Sequence, residues 1–135
     1  MSKKDYKRPP IVVAEDEYDR LVGLAMSTLD RAPGAVDLFT ELSRATVLAD
    51  LPANAIGVGS LVTFNYDGTT YIDYELVDPH LGDIAQRRIS VLTPVGAMLL
   101  GLSEGHSIEW VGPDSRVHKV RVESVRASVV KSFAS

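Results

Sequence analysis

The sequence has no cysteine, which removes disulfides, thiolate nucleophiles and thiolate metal ligands and leaves the redox compartment unread. Histidine is scarce too. His80, His106 and His118 are far apart, with no HxH, HExxH or His-x-x-Glu arrangement. A zinc or facial-triad site needs several converging ligands, so no metal and no cofactor is expected. His80 with Asp83, and His106, read as exposed polar residues of a loop and a turn. No run approaches the ~20 apolar residues that cross a bilayer, and the basic residues 1–8 have no apolar stretch behind them to make a signal peptide. No membrane contact and a cytoplasmic location are expected. A net charge of −4 lacks the basic stripe of a general nucleic-acid binder. Recognition of a specific nucleic acid sequence is not expected, and any affinity for DNA should be weak.

What is present is an ordinary soluble composition, 45% hydrophobic and 24% charged over 135 residues. That length suits one domain, or a small domain with an appendage. Charge is uneven: residues 1–14 hold four bases and one acid, and residues 15–48 hold seven acids and three Arg. The acidic segment would repel phosphates, and it suits either a basic partner surface or a solvated helix face.

Pro9-Pro10 breaks the basic tail, and Ile11-Val12-Val13 reads as a short strand or apolar anchor. Glu15, Asp16 and Glu17 favour a helix start, and Tyr18, Leu21, Val22, Ala25 and Leu29 follow at helical spacing, predicting a helix over about 15–30. Arg31-Ala32-Pro33-Gly34 breaks it. Ala35, Leu38, Phe39, Leu42, Ala45 and Ala49 predict a second helix to about 49, and so short a link predicts an antiparallel hairpin. Residues 51–59 read as a linker, which divides the chain into an arm and hairpin at 1–50 and a second domain at 51–135. Strands at 61–66 and 70–77 flank the turn Asp67-Gly68, with a third at 89–92. Thr93 is a plausible N-cap, Pro94 suits the first helical position, and Gly101 the helix end. A closing hairpin spans 107–111 and 117–125. The class is α+β, a short helical hairpin plus an antiparallel β domain.

Catalytic signals are few. Gly57-Val58-Gly59-Ser60 precedes a strand and lacks the later Gly or Lys of a phosphate cradle. No Ser sits in a nucleophile elbow. Asp30 and Asp37 flank the hairpin turn with Arg31 and Pro33, and paired acids there could hold Mg²⁺ and activate water. The plainer reading is favoured: Asp30 is a helix end and Asp37 a first-turn residue, with Arg31 competing for the charge of Asp30. Asp73 and Glu75 alternate with Ile72 and Tyr74 as polar-out positions, and Trp110 reads as core. The corner Thr93-Pro94-Val95 suits a protein contact and a simple helix start equally well.

The segment Ile89-Ser90-Val91-Leu92-Thr93-Pro94-Val95-Gly96-Ala97-Met98-Leu99-Leu100-Gly101, with the turn Ser103-Glu104-Gly105-His106 and the strand through Trp110, resembles the signature of the Gre transcript-cleavage factor C-terminal domain. The whole layout, an apolar strand, two short helices and a β domain, most resembles the Rnk (regulator of nucleoside diphosphate kinase) family, related to the Gre elongation factors. The resemblance implies an FKBP-like C-terminal domain and RNA polymerase as partner, bound at the β′ subunit rim of the secondary channel through Ser90, Leu92, Thr93, Pro94 and Val95. It also implies that transcript cleavage needs a long hairpin with an acidic D-x-x-E-type tip. This tip, 30–37, has no such motif, and a helix of about 15 residues is only ~22 Å long. The expected function is therefore a polymerase-binding regulator whose hairpin is too short to support cleavage, acting without catalysis and as a monomer. The alternatives are an FKBP-type peptidyl-prolyl isomerase, residual cleavage through Asp30 and Asp37, and an indirect influence on nucleoside diphosphate kinase levels. The isomerase is disfavoured by the few large aromatics, one Trp and three Phe, with Phe39 on the hairpin and Phe133 in the tail.

Overall fold

The computed structural model describes residues 8–127; the basic run before Arg8 and Phe133 lie outside them. The chain opens with β1 (Val12–Ala14), which runs directly into α1 (Glu15–Ser27), then α2 (Ala35–Ser43) and β2 (Thr46–Leu48). Three acids occupy the first turn of α1, where they meet the positive end of the helix dipole. Leu21 and Ala25 of α1, and Ala35, Leu38 and Leu42 of α2, are buried. These are the i, i+3, i+4 positions that periodicity singled out.

Both helices are shorter than that periodicity predicts. α1 stops at Ser27 because Ser27 and Thr28 turn their hydroxyls back onto the Leu24 carbonyl, at 3.0 and 2.7 Å, which competes with continued helix. Asp30 therefore lies in the turn beyond the helix. α2 stops at Ser43 because residues 46–48 pair in parallel with β1, Val12 opposite Thr46 and Ala14 opposite Leu48. A strand partner supplied from a distant part of the chain overrides a local helical pattern.

The rest is a curled five-stranded sheet and a third helix: β3 (Ser60–Tyr66), β4 (Thr69–Val77), β5 (Arg88–Ser90), α3 (Pro94–Leu99), β6 (Ser107–Val111) and β7 (Val117–Ala127), in the order β5-β4-β3-β7-β6. The sheet is not wholly antiparallel, since β5 runs parallel to β4, Glu75 opposite Arg88. The connection between them, two 3-10 turns at Pro79–Leu81 and Ile84–Gln86, brings the chain back along β4 before it pairs. The segment 51–59 is more than a connector. Ile56 is buried, donates its N–H to the Leu102 carbonyl and accepts from the Gly101 N–H, at 2.9 and 2.8 Å.

One apolar core runs from Leu21 and Leu38 through Met98 and Leu99 of α3 to Phe64, Ile108 and Val122 of the sheet. The helices reach the body by backbone approach at two places. The Gly34 N–H donates to the Leu92 carbonyl at 2.7 Å, and a Cβ on Gly34 would lie 2.4 Å from that oxygen. At the other end of α3, the Gly101 carbonyl accepts the Val12 N–H at 3.2 Å. A Cβ on Gly101, which has φ 82°, would lie 2.8 Å from the Ile11 Cβ.

Glu41 is the one buried charged residue among the described residues, fully shielded on α2. Its carboxylate accepts from Arg8 and, at 3.0 and 2.6 Å, from Arg44 Nε and Nη2. Arg44 also donates to the Pro9 carbonyl at 2.8 Å. The carboxylate thus ties the arm to the hairpin, and a buried charge persists only when paired in this way. Glu41→Ala should lower the free energy of unfolding by about 3 kcal/mol, because it leaves two guanidinium groups around an empty site. Urea titration of both proteins would measure the difference.

Candidate functional site

The candidate site is a cleft of about 570 Å³ beside the β5–α3 corner. Phe64, Tyr66 and Tyr71 line it from the sheet, Ile84 and Arg88 from the β4–β5 connection and β5, and Thr93, Pro94 and Val95 from the corner. Concave, mainly apolar surfaces with a few polar groups are where proteins bind ligands and partner segments.

Its aromatic side is made by an irregularity in β4. Val62 pairs with Tyr74 and Phe64 with Tyr71, so β4 takes three steps while β3 takes two. The extra residue falls at Ile72 and Asp73. Asp73 has φ 55° and donates its N–H to Thr63 Oγ1 at 3.1 Å. A strand without the bulge would send Tyr71 and Tyr74 to opposite faces. With it, both pack around Phe64: Phe64 stacks on Tyr71 with centroids 5.1 Å apart, and Tyr74 meets Phe64 edge-on at 6.2 Å. The polar-out alternation read from 72–75 breaks here, because Ile72 is 56% exposed.

The corner is locked by its own hydrogen bonds. Ser90 Oγ accepts the Leu92 N–H at 3.0 Å, and the Ser90 carbonyl accepts from Thr93 Oγ1 at 2.8 Å and Thr93 N–H at 3.1 Å. Thr93 Oγ1 in turn caps α3 by accepting the Gly96 N–H at 3.0 Å. Of the five corner residues singled out in the sequence, Leu92 is buried in the core and presents only its carbonyl, to Gly34. Ser90, Thr93, Pro94 and Val95 line the cleft.

The hairpin-turn residues are not gathered into a site. The Asp30 side chain is 86% exposed, with Arg31 3.7 Å away. Asp37 lies partly buried on α2, and that burial raises its carboxyl above the ordinary 3.8, with Arg8 opposing and Glu41 adding to the rise. Among the described residues no three His, Cys, Asp or Glu side chains converge as a metal site, and no helix is long and apolar enough to cross a membrane. His106 is half-buried rather than exposed, with its Nδ1 enclosed.

A second cluster sits at the far side of Tyr66. His118 lies between two carboxylates, Nδ1 2.6 Å from Asp67 Oδ2 and Nε2 3.0 Å from Asp114 Oδ1. Its ring contacts Tyr66 and Trp110, centroids 6.0 and 5.8 Å away, and Tyr66 stacks on Trp110 at 6.1 Å. The bonds to Asp67 and then Asp114 raise the imidazole above its ordinary 6.5. The bond from His118 holds the Asp114 carboxyl below 3.8. At Asp67 burial pushes upward, and the His118 and Lys119 N–H bonds together outweigh it, so its carboxyl too falls below 3.8. Sequence spacing gave no sign of this cluster, since Asp67 and His118 lie 51 residues apart. The signal available was weak: a hairpin-turn Asp and a histidine in the strand that closes the sheet.

Comparison with known proteins now bears on this geometry. Residues 51–127 match the family described as "Transcription elongation factor, GreA/GreB, C-term", the class that the β domain and its corner define. Residues 9–48 match the one described as "Rnk N-terminus". The chain belongs to the Rnk/GreA-like transcription factor family. It is 32% identical over 111 residues to the "Regulator of nucleoside diphosphate kinase" of Escherichia coli, covering 78% of this chain and 81% of that one. To the "Transcription elongation factor GreA" of Thermosipho africanus it is 31% identical over 78 residues, covering 57% of this chain and 50% of that one. The solved structure of a prokaryotic transcription elongation factor GreA/GreB from Nitrosomonas europaea superimposes with a TM-score of 0.65 at 33% identity, over 86% of this chain and 98% of that one.

The His118 cluster makes stability depend on pH. A raised imidazole pKa contributes stability that is complete below 6.5 and is lost as pH rises through the folded value. The carboxylate contributions are present above 3.8 and are lost as pH falls through the lowered values. The thermal midpoint, followed by the fluorescence of the single Trp110, should therefore decline as pH rises above 6.5. His118→Gln should remove that decline.

Proposed function

We propose that this protein is an RNA polymerase-binding transcription regulator that docks at the β′ rim of the secondary channel through Thr93, Pro94 and Val95, with Ser90 adjacent, and does not stimulate transcript cleavage. The observation that carries the reading is the corner itself: a hydrogen-bonded strand-to-helix turn that presents a proline ring and a valine on the wall of an aromatic cleft. A partner meets there a surface that needs no ordering on binding, which lowers the cost of association. Leu92 is assigned a supporting role, holding Gly34 rather than touching the partner.

The absence of cleavage is supported by the helices. α1 has 13 residues and α2 nine, about 20 and 13 Å, and the start of α2 is held to the corner at Gly34. A turn tied to the body is poorly suited to reach a distant active centre. Asp30 and Asp37 differ in burial and partners, which disfavours a shared Mg²⁺. On this reading the division at residues 50 and 51 separates the hairpin from an FKBP-like docking domain, and the protein acts as a cytoplasmic monomer without reading a nucleic acid sequence. Any effect on nucleoside diphosphate kinase is indirect, through transcription.

The test is co-purification with core polymerase. Wild type should bind, and Thr93→Asp combined with Pro94→Ala should weaken binding at least tenfold while leaving the thermal midpoint within a few degrees. In the same preparation, backtracked complexes with Mg²⁺ should yield no shortened RNA. Binding unaltered by the double substitution would remove the corner from the interface.

The aromatic cleft favours a second reading, a peptidyl-prolyl isomerase of the FKBP type. Phe64, Tyr66 and Tyr71 supply the rings that the count of Trp and Phe had left wanting. A proline-peptide isomerisation assay should show no rate above background if the cleft serves docking alone.

A further inference from the structure

We infer that the cleft accepts a segment of a protein partner carrying an apolar side chain with a carboxylate beside it, and that Arg88 is the group that recognises the carboxylate. The inference rests on the docking reading above and adds the chemistry of what docks.

β5 is an edge strand, and an edge can bind an extended peptide by adding it to the sheet. Here three of the outward backbone groups of β5 are already engaged. Arg88 exchanges N–H and carbonyl hydrogen bonds with Asp83, both at 3.0 Å, and the Ser90 carbonyl is taken by Thr93. A partner seated in the cleft must therefore be recognised by side chains.

Those side chains are an apolar floor, the carboxylate of Asp83, and one cation that does not pair with it. Phe64 and Tyr71 form a stacked pair on the floor, and Ile84 stands 62% exposed at the mouth, apolar surface that a partner would cover. Arg88 is half-buried on the same wall. Six of the described arginines have a carboxylate within 4.0 Å, and Arg87 donates to the Ile72 carbonyl. Among the described arginines the Arg88 guanidinium, like that of the exposed Arg116 outside the cleft, has neither a carboxylate within 4.0 Å nor a side-chain hydrogen bond. Asp83, its backbone neighbour, instead accepts the Ala85 N–H at 3.1 Å.

An unpaired guanidinium beside aromatic surface, on a protein of net charge −4, favours an anionic partner group locally while the molecule as a whole repels one. Water is partly excluded there, so a carboxylate that reaches Arg88 is screened less than on an open surface. The fork of the guanidinium can take both carboxylate oxygens at once. Apolar contact supplies affinity, and Arg88 fixes which apolar segment is accepted.

The test uses the full chain and two small probes, 3-phenylpropionate and its amide, followed by backbone amide NMR shifts. The acid should bind about tenfold tighter than the amide, the effect of one charge-assisted pair, with shifts centred on Phe64, Tyr71, Ile84 and Arg88. Arg88→Gln should bring the acid down to the affinity of the amide, with amide binding and the remaining spectrum unchanged. Equal affinities for the two probes, or shifts centred on exposed Arg116 instead, would overturn the inference. Binding to core polymerase separates it from the docking reading. If wild type binds, Arg88→Glu should weaken binding about tenfold; unchanged binding sinks the carboxylate role and leaves docking intact. If wild type does not bind polymerase, docking fails, whereas discrimination of acid from amide would still uphold the cleft chemistry.

Discussion

Helix α3 is the piece on which the rest of the molecule is hung, and the contacts at its two ends are made by backbone. Gly34 approaches the Leu92 carbonyl at the start of α3, and Gly101 takes Val12 against its own carbonyl at the finish. Neither approach leaves room for a Cβ. Because α3 has only six residues, two such contacts span it completely. The hairpin is consequently laid along the body rather than joined to it by a flexible hinge, and its apolar faces share one core with the sheet. The buried Glu41, with Arg8 and Arg44, closes the same junction electrostatically.

The corner and the hairpin are joined by a direct backbone contact. The Leu92 carbonyl holds Gly34, the Leu92 side chain fills the core, and the next three residues line the cleft. A change in the hairpin turn would be felt at the wall of the cleft through one hydrogen bond. The cleft depends in turn on the bulge in β4, which places Tyr71 and Tyr74 on the same face as Phe64. Its opposite flank, Tyr66, stacks on Trp110 beside His118. The shape of the cleft thus rests on two irregular features, a bulge and a charged cluster, that lie outside the corner itself.

Much of the architecture was legible in local residue chemistry. Thr93 followed by Pro94 marked the start of α3 and Gly101 its end, because a hydroxyl cap, a missing N–H and a positive φ each suit one position only. Asp67-Gly68 marked the turn between β3 and β4 for the same kind of reason, with φ 50° and 93°. Trp110 was read as core and is buried. The errors fell where a distant partner outweighed a local preference. Residues 46–48 follow a helical pattern but pair with β1. Strand β5 takes a parallel partner because its connection returns along β4. Tyr71 escaped notice because strict alternation assigns it to the wrong face.

The sequence by itself determined the elements whose causes are local: amphipathic faces, caps, turns, and the strand-to-helix corner. Only the tertiary structure decided which side chains meet. His118 reaches Asp67 and Asp114, Glu41 reaches Arg8, and Arg88 is left without a carboxylate in an aromatic cleft. Such encounters depend on sheet register and on close backbone approach between segments far apart in the chain. A single bulged residue shifts that register without changing the pattern of apolar and polar residues that a sequence displays.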